Sequence, residues 1–476
     1  MADLVRFIEL FQPLARFIPT VSSPERKVSF NEKLFWTAMV LIGYLVMTEI
    51  PLYGVGGRGA EDPFSAMRVI FASERGTLME LGIGPIVTAG LILQVLAGSQ
   101  MIKVDFTNPQ DRSMFTTASK VMSIIMYLFQ VAAYMLAGAF GEKVTPQTGF
   151  VIALQLVTAG IVLMLLDELL QKGWGLGSGI SLFIVAGVAQ RILWESFAPM
   201  GPMSDKKFLG AIIAFAQSIG SSPTVWNMIH RPEGLPDLIG FLTTIVVFAI
   251  IIYIDGLRVE VPVSHARFRG FRGKFPIKLL YVSNIPVIFT AALFGNIYFI
   301  TQLIWSRYNQ AGTNFWLNLL GVFQASGQRY EPVRGLAYYV VSPRNLENVI
   351  QDPLRALVYA GLMMTICVFF STTWIEVGGM DARTIAKQLI DSGMQIEGFR
   401  RSYAPIQQVL SRYIPTVTIL GGLVVGAIAS FADFLGAFGS GMGILLSIGI
   451  IEQYSQILAQ ERISELYPAA RALLGK

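Results

Sequence analysis

Along the chain the apolar residues gather in long runs instead of alternating with polar ones. Ten stretches without a charged side chain approach or exceed the roughly 17 residues a helix needs to cross a hydrocarbon core. They are 34–48, 81–102, 121–141, 144–166, 173–190, 238–254, 279–306, 356–375, 413–432 and 434–451. Each predicts a transmembrane helix. Two further charge-free stretches, 208–230 and 308–328, are broken by Ser-Ser-Pro, Asn, Gln and Gly and hold only short apolar cores. These are expected as helices or loops at the outer surface. Near the start, Leu4, Ile8, Phe11, Ala15 and Ile18 recur at helical spacing. That pattern predicts an interfacial helix lying on the membrane, or a partner site. The first apolar run begins at Leu34 with no short apolar segment before it, so no removable signal peptide is expected.

Composition agrees with the runs. Hydrophobic residues make up 53% of the 476 positions and charged ones 14%, against roughly 25% charged in a soluble domain. Charge adds orientation, because basic residues mark the cytoplasmic side. With ten spans both termini share a side, and that side carries 23 of the 36 Lys and Arg. Both termini are therefore expected in the cytoplasm. Treating the two doubtful stretches as spans would put the basic loop after span six outside, and that topology is rejected.

Ten spans divide after the fifth. The expected organisation is an interfacial segment at 1–33, an N-terminal half at 34–197, an external hinge loop at 198–237, a C-terminal half at 238–457 and a cytoplasmic tail at 458–476. Cytoplasmic loops fall at 256–278 and 377–412 in the second half. "GIGPIVTAG" in span two and "NIPVIFTAA" in span seven both place Pro and then Thr-Ala early in a helix. Because five is odd, the second half runs inverted, which suggests an inverted repeat with a site between the halves.

Much chemistry is missing. The only histidines, His230 and His265, lie outside the spans, and no phosphate loop occurs. A Ser–His pair, an H-E-x-x-H zinc site and nucleotide hydrolysis by a P-loop are excluded. Cys367 sits alone in an apolar run and reads as a packing residue. Neither a catalytic residue, a metal site nor a cofactor is expected. Glu49, Asp167 and Asp433 stand at span ends and are expected to be solvated there. Spans so poor in ionisable groups favour a passive conduit. The alternative is a secondary transporter with an inverted-repeat fold, which would need a buried ion site.

Four stretches carry a family resemblance: "GIGPIVTAGLILQ" at 82–94, "GWGLGSGISLFI" at 173–184, "FPIKLLYVSNIPVIFTAALFGN" at 275–296, and the Arg-Arg pair at 400–401. They resemble the SecY family, the alpha subunit of the Sec protein-translocation channel, with span two closer to archaeal and eukaryotic members. The resemblance runs over nearly the whole chain. It implies an all-α integral membrane protein of ten transmembrane helices in two inverted five-helix halves around an hourglass pore. A plug helix would close the pore outside, and the wall would open sideways into lipid. The implied function is a protein-conducting channel in the cell membrane, which passes secretory polypeptides and releases transmembrane segments laterally. Implied partners are a SecE or gamma-type subunit, a small beta subunit, a translating ribosome contacted through its rRNA (in bacteria, a motor ATPase), nascent chains with signal sequences, and lipid.

The resemblance assigns roles to particular residues. Ile83 and Val87 share a helix face, as do Ile180 and Ile184. With Ile288 and Leu445 or Leu446 they would form the pore ring. Apolar side chains dewet a narrow constriction and offer a passing chain no hydrogen bond. Pro63, Phe64, Met67, Ile70 and Phe71, in the segment 57–73, would form the plug, capped by Asp62 and tethered through glycines including Gly54 and Gly76. Thr88, Gln130 and Asn296, in spans two, three and seven, would line the lateral gate. Interhelical hydrogen bonds in membranes average about 0.6 kcal/mol. Each Leu or Ile of an apolar signal contributes about −0.3 to −0.6 kcal/mol, so a signal can tip such a gate. Arg267, Arg269, Arg272, Lys274, Arg400 and Arg401 interleave with Phe and Gly in the two basic loops. They suit RNA phosphates and base faces, and equally lipid headgroups. No role emerges for Gln94.

Overall fold

The computed structural model describes residues 18–55, 68, 71–99, 101–102, 104, 108–136, 140, 145–201, 203, 205, 207–219, 225–231, 235–265, 272–280, 282, 285–310, 312–326, 329–391, 394–396 and 403–466. One long helix occupies each predicted span. These are α1 (Phe30–Glu49), α2 (Gly84–Gly98), α3 (Pro109–Leu136), α4 (Pro146–Gln171), α5 (Gly179–Phe197), α6 (Leu238–Asp255), α7 (Ile285–Tyr308), α8 (Pro353–Val377), α9 (Tyr403–Phe434) and α10 (Gly441–Leu466). Helices α3 to α10 are long and apolar enough to cross a membrane. Five strands accompany them: β1 (Arg258–His265), β2 (Arg272–Lys278), β3 (Val322–Ser326), β4 (Arg329–Arg334) and β5 (Met394–Ile396).

Caps set several boundaries. The Thr145 hydroxyl accepts from Thr148 N at 3.3 Å, and Pro146 opens α4. Asp237 caps α6 through Gly240 N at 2.7 Å. Elsewhere the helices outrun the charge-free stretches, because absence of charge marks hydrocarbon depth and not helix length. Helix α3 begins at Pro109, ahead of the predicted 121. Helix α9 begins at Tyr403, so 403–412, expected as loop, is helical. Span five moves the other way. Residues 173–178 form glycine turns, with φ of +98° at Gly173 and +66° at Gly177, and the helix starts only at Gly179.

Among the described residues, neither doubtful stretch holds a helix long enough to span. The first holds short helices at Ala211–Ser218 and Val225–Ile229. The second holds Phe315–Leu320 and β3, which pairs with β4 just beyond it.

The two basic loops are not separate. Strands β1 and β2 form a hairpin from Arg258↔Lys278 to Ser264↔Arg272, and β5 pairs with the free edge of β1. Loops 256–278 and 377–412 thus build one three-stranded sheet. Val261 and Ile277 of the sheet pack with Ile406, Leu410 and Ile414, the buried stripe of α9.

The halves meet along two seams. On one side α2 and α3 pack on α7, and α2 packs on α8; on the other, α1 and α5 pack on α10. A large apolar cluster runs through both halves between the seams.

Candidate functional site

The predicted ring residues come together in that central cluster. Ile83 and Val87 at the start of α2, Ile184 of α5, and Leu445 and Leu446 of α10 are buried in it. Ile180 of α5 and Ile288 of α7 pack half-buried against it. Both leucines are enclosed, at 2% and 0% exposure, so burial does not single out one. Ile83 is the N-cap of α2, one turn below Val87, whose N–H donates to Ile83 O at 3.0 Å.

Ile83, a predicted ring residue, is bonded to the end of the predicted plug segment. Ile83 N donates to Phe71 O at 2.8 Å, and Phe71 itself is buried. Gly82 has φ +53°, and a Cβ there would fall 2.1 Å from Phe71 O. Only glycine permits both that conformation and that approach. The Tyr127 hydroxyl of α3 donates to Gly82 O at 2.8 Å, and that of Tyr44 in α1 to Ala72 O at 3.3 Å. Arg68 pairs with the buried Glu80 at 2.7 Å, and Glu80 also accepts from Gly76 N. Pro63, Phe64, Met67 and Ile70 lie outside the described residues. Sequence reasoning missed Tyr44, Arg68, Glu80 and Tyr127; the signal was Glu80, a charge directly before an apolar span.

Two predicted gate residues touch across the first seam. Asn296 Nδ2 of α7 donates to Thr88 Oγ1 of α2 at 3.0 Å and to Ala292 O at 2.8 Å. Gln130 of α3 is buried and lines one small cleft with Asn296, Arg68, Phe71 and Tyr134. Tyr134 of α3 stacks on Phe299 of α7 with centroids 5.3 Å apart.

The second seam is held at both ends. The Tyr454 hydroxyl of α10 donates to Ser178 O at 2.8 Å, and Gly439 N donates to Glu195 Oε2 of α5 at 3.2 Å. Lys33 of α1 pairs with Glu461 of α10 at 3.0 Å.

Asp167 and Asp433 correct an expectation. They are buried, at 8% and 4% exposure, and not solvated at span ends; Glu49 is exposed as expected. Each pins the start of a ring helix. Asp167 Oδ1 accepts from Ser178 Oγ at 3.0 Å and Ile180 N at 3.1 Å, at the start of α5. Asp433 Oδ1 accepts from Gly441 N at 2.6 Å, the first residue of α10, and its Oδ2 from the Tyr359 hydroxyl of α8 at 2.9 Å. A carboxylate facing a helix N-terminus meets unpaired N–H groups and the positive end of the dipole, which compensates its burial.

Within the three-stranded sheet, Lys274 is 70% exposed and pairs with Glu260 on the facing strand. Arg272 begins β2 opposite Ser264. Arg267, Arg269, Arg400 and Arg401 lie outside the described residues.

Relatives share this arrangement. The SecY family model matches residues 77–455, and a model described as the plug domain of Sec61p matches 44–76. A protein transport protein Sec61 subunit alpha from Dictyostelium discoideum is 43% identical over 96% of this chain and 97% of its own. A solved protein-conducting channel superposes with a TM-score of 0.81 at 38% identity, over 96% of this chain and 98% of the other. Sec61 in a canine ribosome-channel complex from the endoplasmic reticulum gives 0.78 at 38% identity, over the same shares. A family model over residues 77–455 and relatives matched over nearly the whole length place the chain in the SecY family.

Proposed function

We propose that the chain is the pore-forming subunit of a protein-conducting channel whose ring, plug and gate are the groups described above. Ile83, Val87, Ile180, Ile184, Ile288 and Leu445 or Leu446 form the constriction. The plug segment, bonded through Phe71 to Ile83, closes it from outside. Secretory polypeptides pass through the ring, and apolar segments leave between α2–α3 and α7–α8. The observation that carries this reading is the convergence of aliphatics from four helices on one cluster whose edge is backbone-bonded to the plug segment. The comparisons give the transporter alternative no support.

The sheet formed by the two basic loops is the docking platform for a translating ribosome. Support comes from its exposed Lys274 and from two solved relatives, the canine channel complex and yeast Ssh1 bound to the 80S ribosome, the latter 27% identical at a TM-score of 0.78. Both termini then lie in the cytoplasm, with a gamma-type and a small beta subunit alongside. The channel has no nucleotide motif of its own, so the driving force comes from such a partner.

Reconstitution into bilayers tests the seal. Replacing Ile83, Val87, Ile180 and Ile184 together with Ser should raise resting ion conductance, because a polar lining wets the constriction. Conductance at the unmodified level would remove these residues from the ring.

A further inference from the structure

Where α2 ends, the gate seam is closed by a contact of another kind. A Cβ on Gly98 would lie 2.5 Å from Thr373 Cγ2 and 3.3 Å from Val377 Cγ2, both on α8. The first distance is closer than side chains tolerate. Thr373 is not free to turn its methyl aside, because its hydroxyl donates to Phe369 O at 2.9 Å. Val377 is itself buried. The two helices therefore approach this closely only because residue 98 has no side chain, a use of glycine common between membrane helices. Gly90, on the same helix, shows the contrast: nothing lies within 4 Å of its Cβ position. One turn before Gly98 and on the same face, Gln94 Oε1 is enclosed without a hydrogen-bond partner. An unpaired buried acceptor costs free energy in the closed arrangement.

We propose that Gly98, seated against Thr373 and Val377, sets the closed position of the lateral gate and so the apolarity a signal needs to open it. The proposal rests on the gate reading above and adds a positioning residue to it. Thr88 and Asn296 supply a hydrogen bond that any small movement can break and remake. The Gly98 contact instead fixes how far the halves close. Filling it props the seam apart before any signal arrives.

Two experiments in the complete membrane complex test this. The Gly98 Cβ position is 3.9 Å from Thr373 Cβ, inside the roughly 3.5–4.5 Å of a disulfide. Gly98→Cys with Thr373→Cys, in a Cys367→Ser background, should form that bond under mild oxidation, as a gel shift. Membrane insertion of an apolar segment by the double variant should then stop, and return when the bond is reduced. Absence of the bond, or unimpeded insertion with the bond formed, overturns the proposal.

The second experiment compares Gly98→Ala with Gly90→Ala. Both raise helix propensity, Gly90→Ala the more because it lies inside α2 and Gly98 at its end, so a larger effect at position 98 comes from the contact. Gly98→Ala should increase translocation of a weakly apolar signal about fivefold, the change in a two-state ratio expected from about 1 kcal/mol of overpacking. Gly90→Ala should leave it unchanged. Equal behaviour of the two variants would sink the proposal, whereas an unmodified chain that moves no secretory polypeptide would sink the channel reading beneath it.

Discussion

At the residue scale, the two buried aspartates matter most, because each ties the preceding helix to the start of a helix that carries the ring. Asp433 joins three helices through the Tyr359 hydroxyl and Gly441 N. Hydrogen bonds to a charged group contribute about 1.5–3 kcal/mol each, and a deserted donor adds its own desolvation cost. Asp433→Ala should therefore lower the thermal midpoint of the purified complex clearly, and Tyr359→Phe by less, since only one bond is lost. Equal midpoints for Asp433→Ala and the unmodified chain would reduce the aspartate to a bystander. Neither carboxylate could be read correctly from the chain. A charge at the edge of an apolar run looks hydrated until the next helix is seen to begin against it. Ile83, Val87 and Thr88 were legible, because Pro85 fixes where α2 starts and the helical period then decides which side chains share a face.

At the element scale, the seams differ in how they are fastened. The α5–α10 seam is bonded at both ends, and the chain itself crosses between the halves nearby. The loop making that crossing is braced by Arg231, whose five N–H donors reach Asp205, Phe208 O, Leu209 O and Pro236 O at 2.8–3.1 Å. Across the α2–α7 contact, the described residues show one side-chain hydrogen bond, Thr88 to Asn296. The α5–α10 seam is thus tied at more points than the α2–α7 contact, as the proposed lateral gate requires. Asn296→Leu removes the bond and adds apolar surface, so it should change how apolar a signal must be to enter. An unchanged threshold in a translocation assay with graded signals would make the bond mere glue.

The brace predicts a pH dependence. Burial pushes the Asp205 carboxyl up, but the hydrogen bonds and charge of Arg231, with Lys207 N, outweigh it and hold it below the usual carboxylate range. A lowered value stabilises the fold above the ordinary carboxylate value of about 3.9 and is lost as pH falls through the folded one. Amide exchange in 198–237, corrected for intrinsic rate, should stay flat from neutral pH down to about 4 and rise only below it. Asp205→Asn should speed exchange already at neutral pH. A rise centred near pH 6 would mean that another group controls the loop.

Long elements were legible as charge-free runs, because hydrocarbon admits little else. The sheet was not: β5 has three residues, and its pairing with β1 joins positions more than a hundred residues apart. No local periodicity announces such a partner.

At the scale of the molecule, the two halves pack along both seams, and the residues proposed as ring lie in the apolar cluster between them. Phe71 O is bonded to Ile83 N, so displacing the plug disturbs the ring residue that follows it. In the proposed channel, opening at the α2–α7 side would leave the braced α5–α10 side as the pivot. The central claim is that a polypeptide travels through the ring and not along the outer wall of the helices. The most direct measurement is crosslinking from Cys at position 87 to a secretory chain arrested in mid-passage. The comparison is Cys at Phe369, a side chain 53% exposed on the outside of α8. In both variants Cys367, enclosed in the core, is replaced by Ser. The account predicts a crosslink from Val87→Cys and none from Phe369→Cys. Labelling from position 369 with none from position 87 would contradict it.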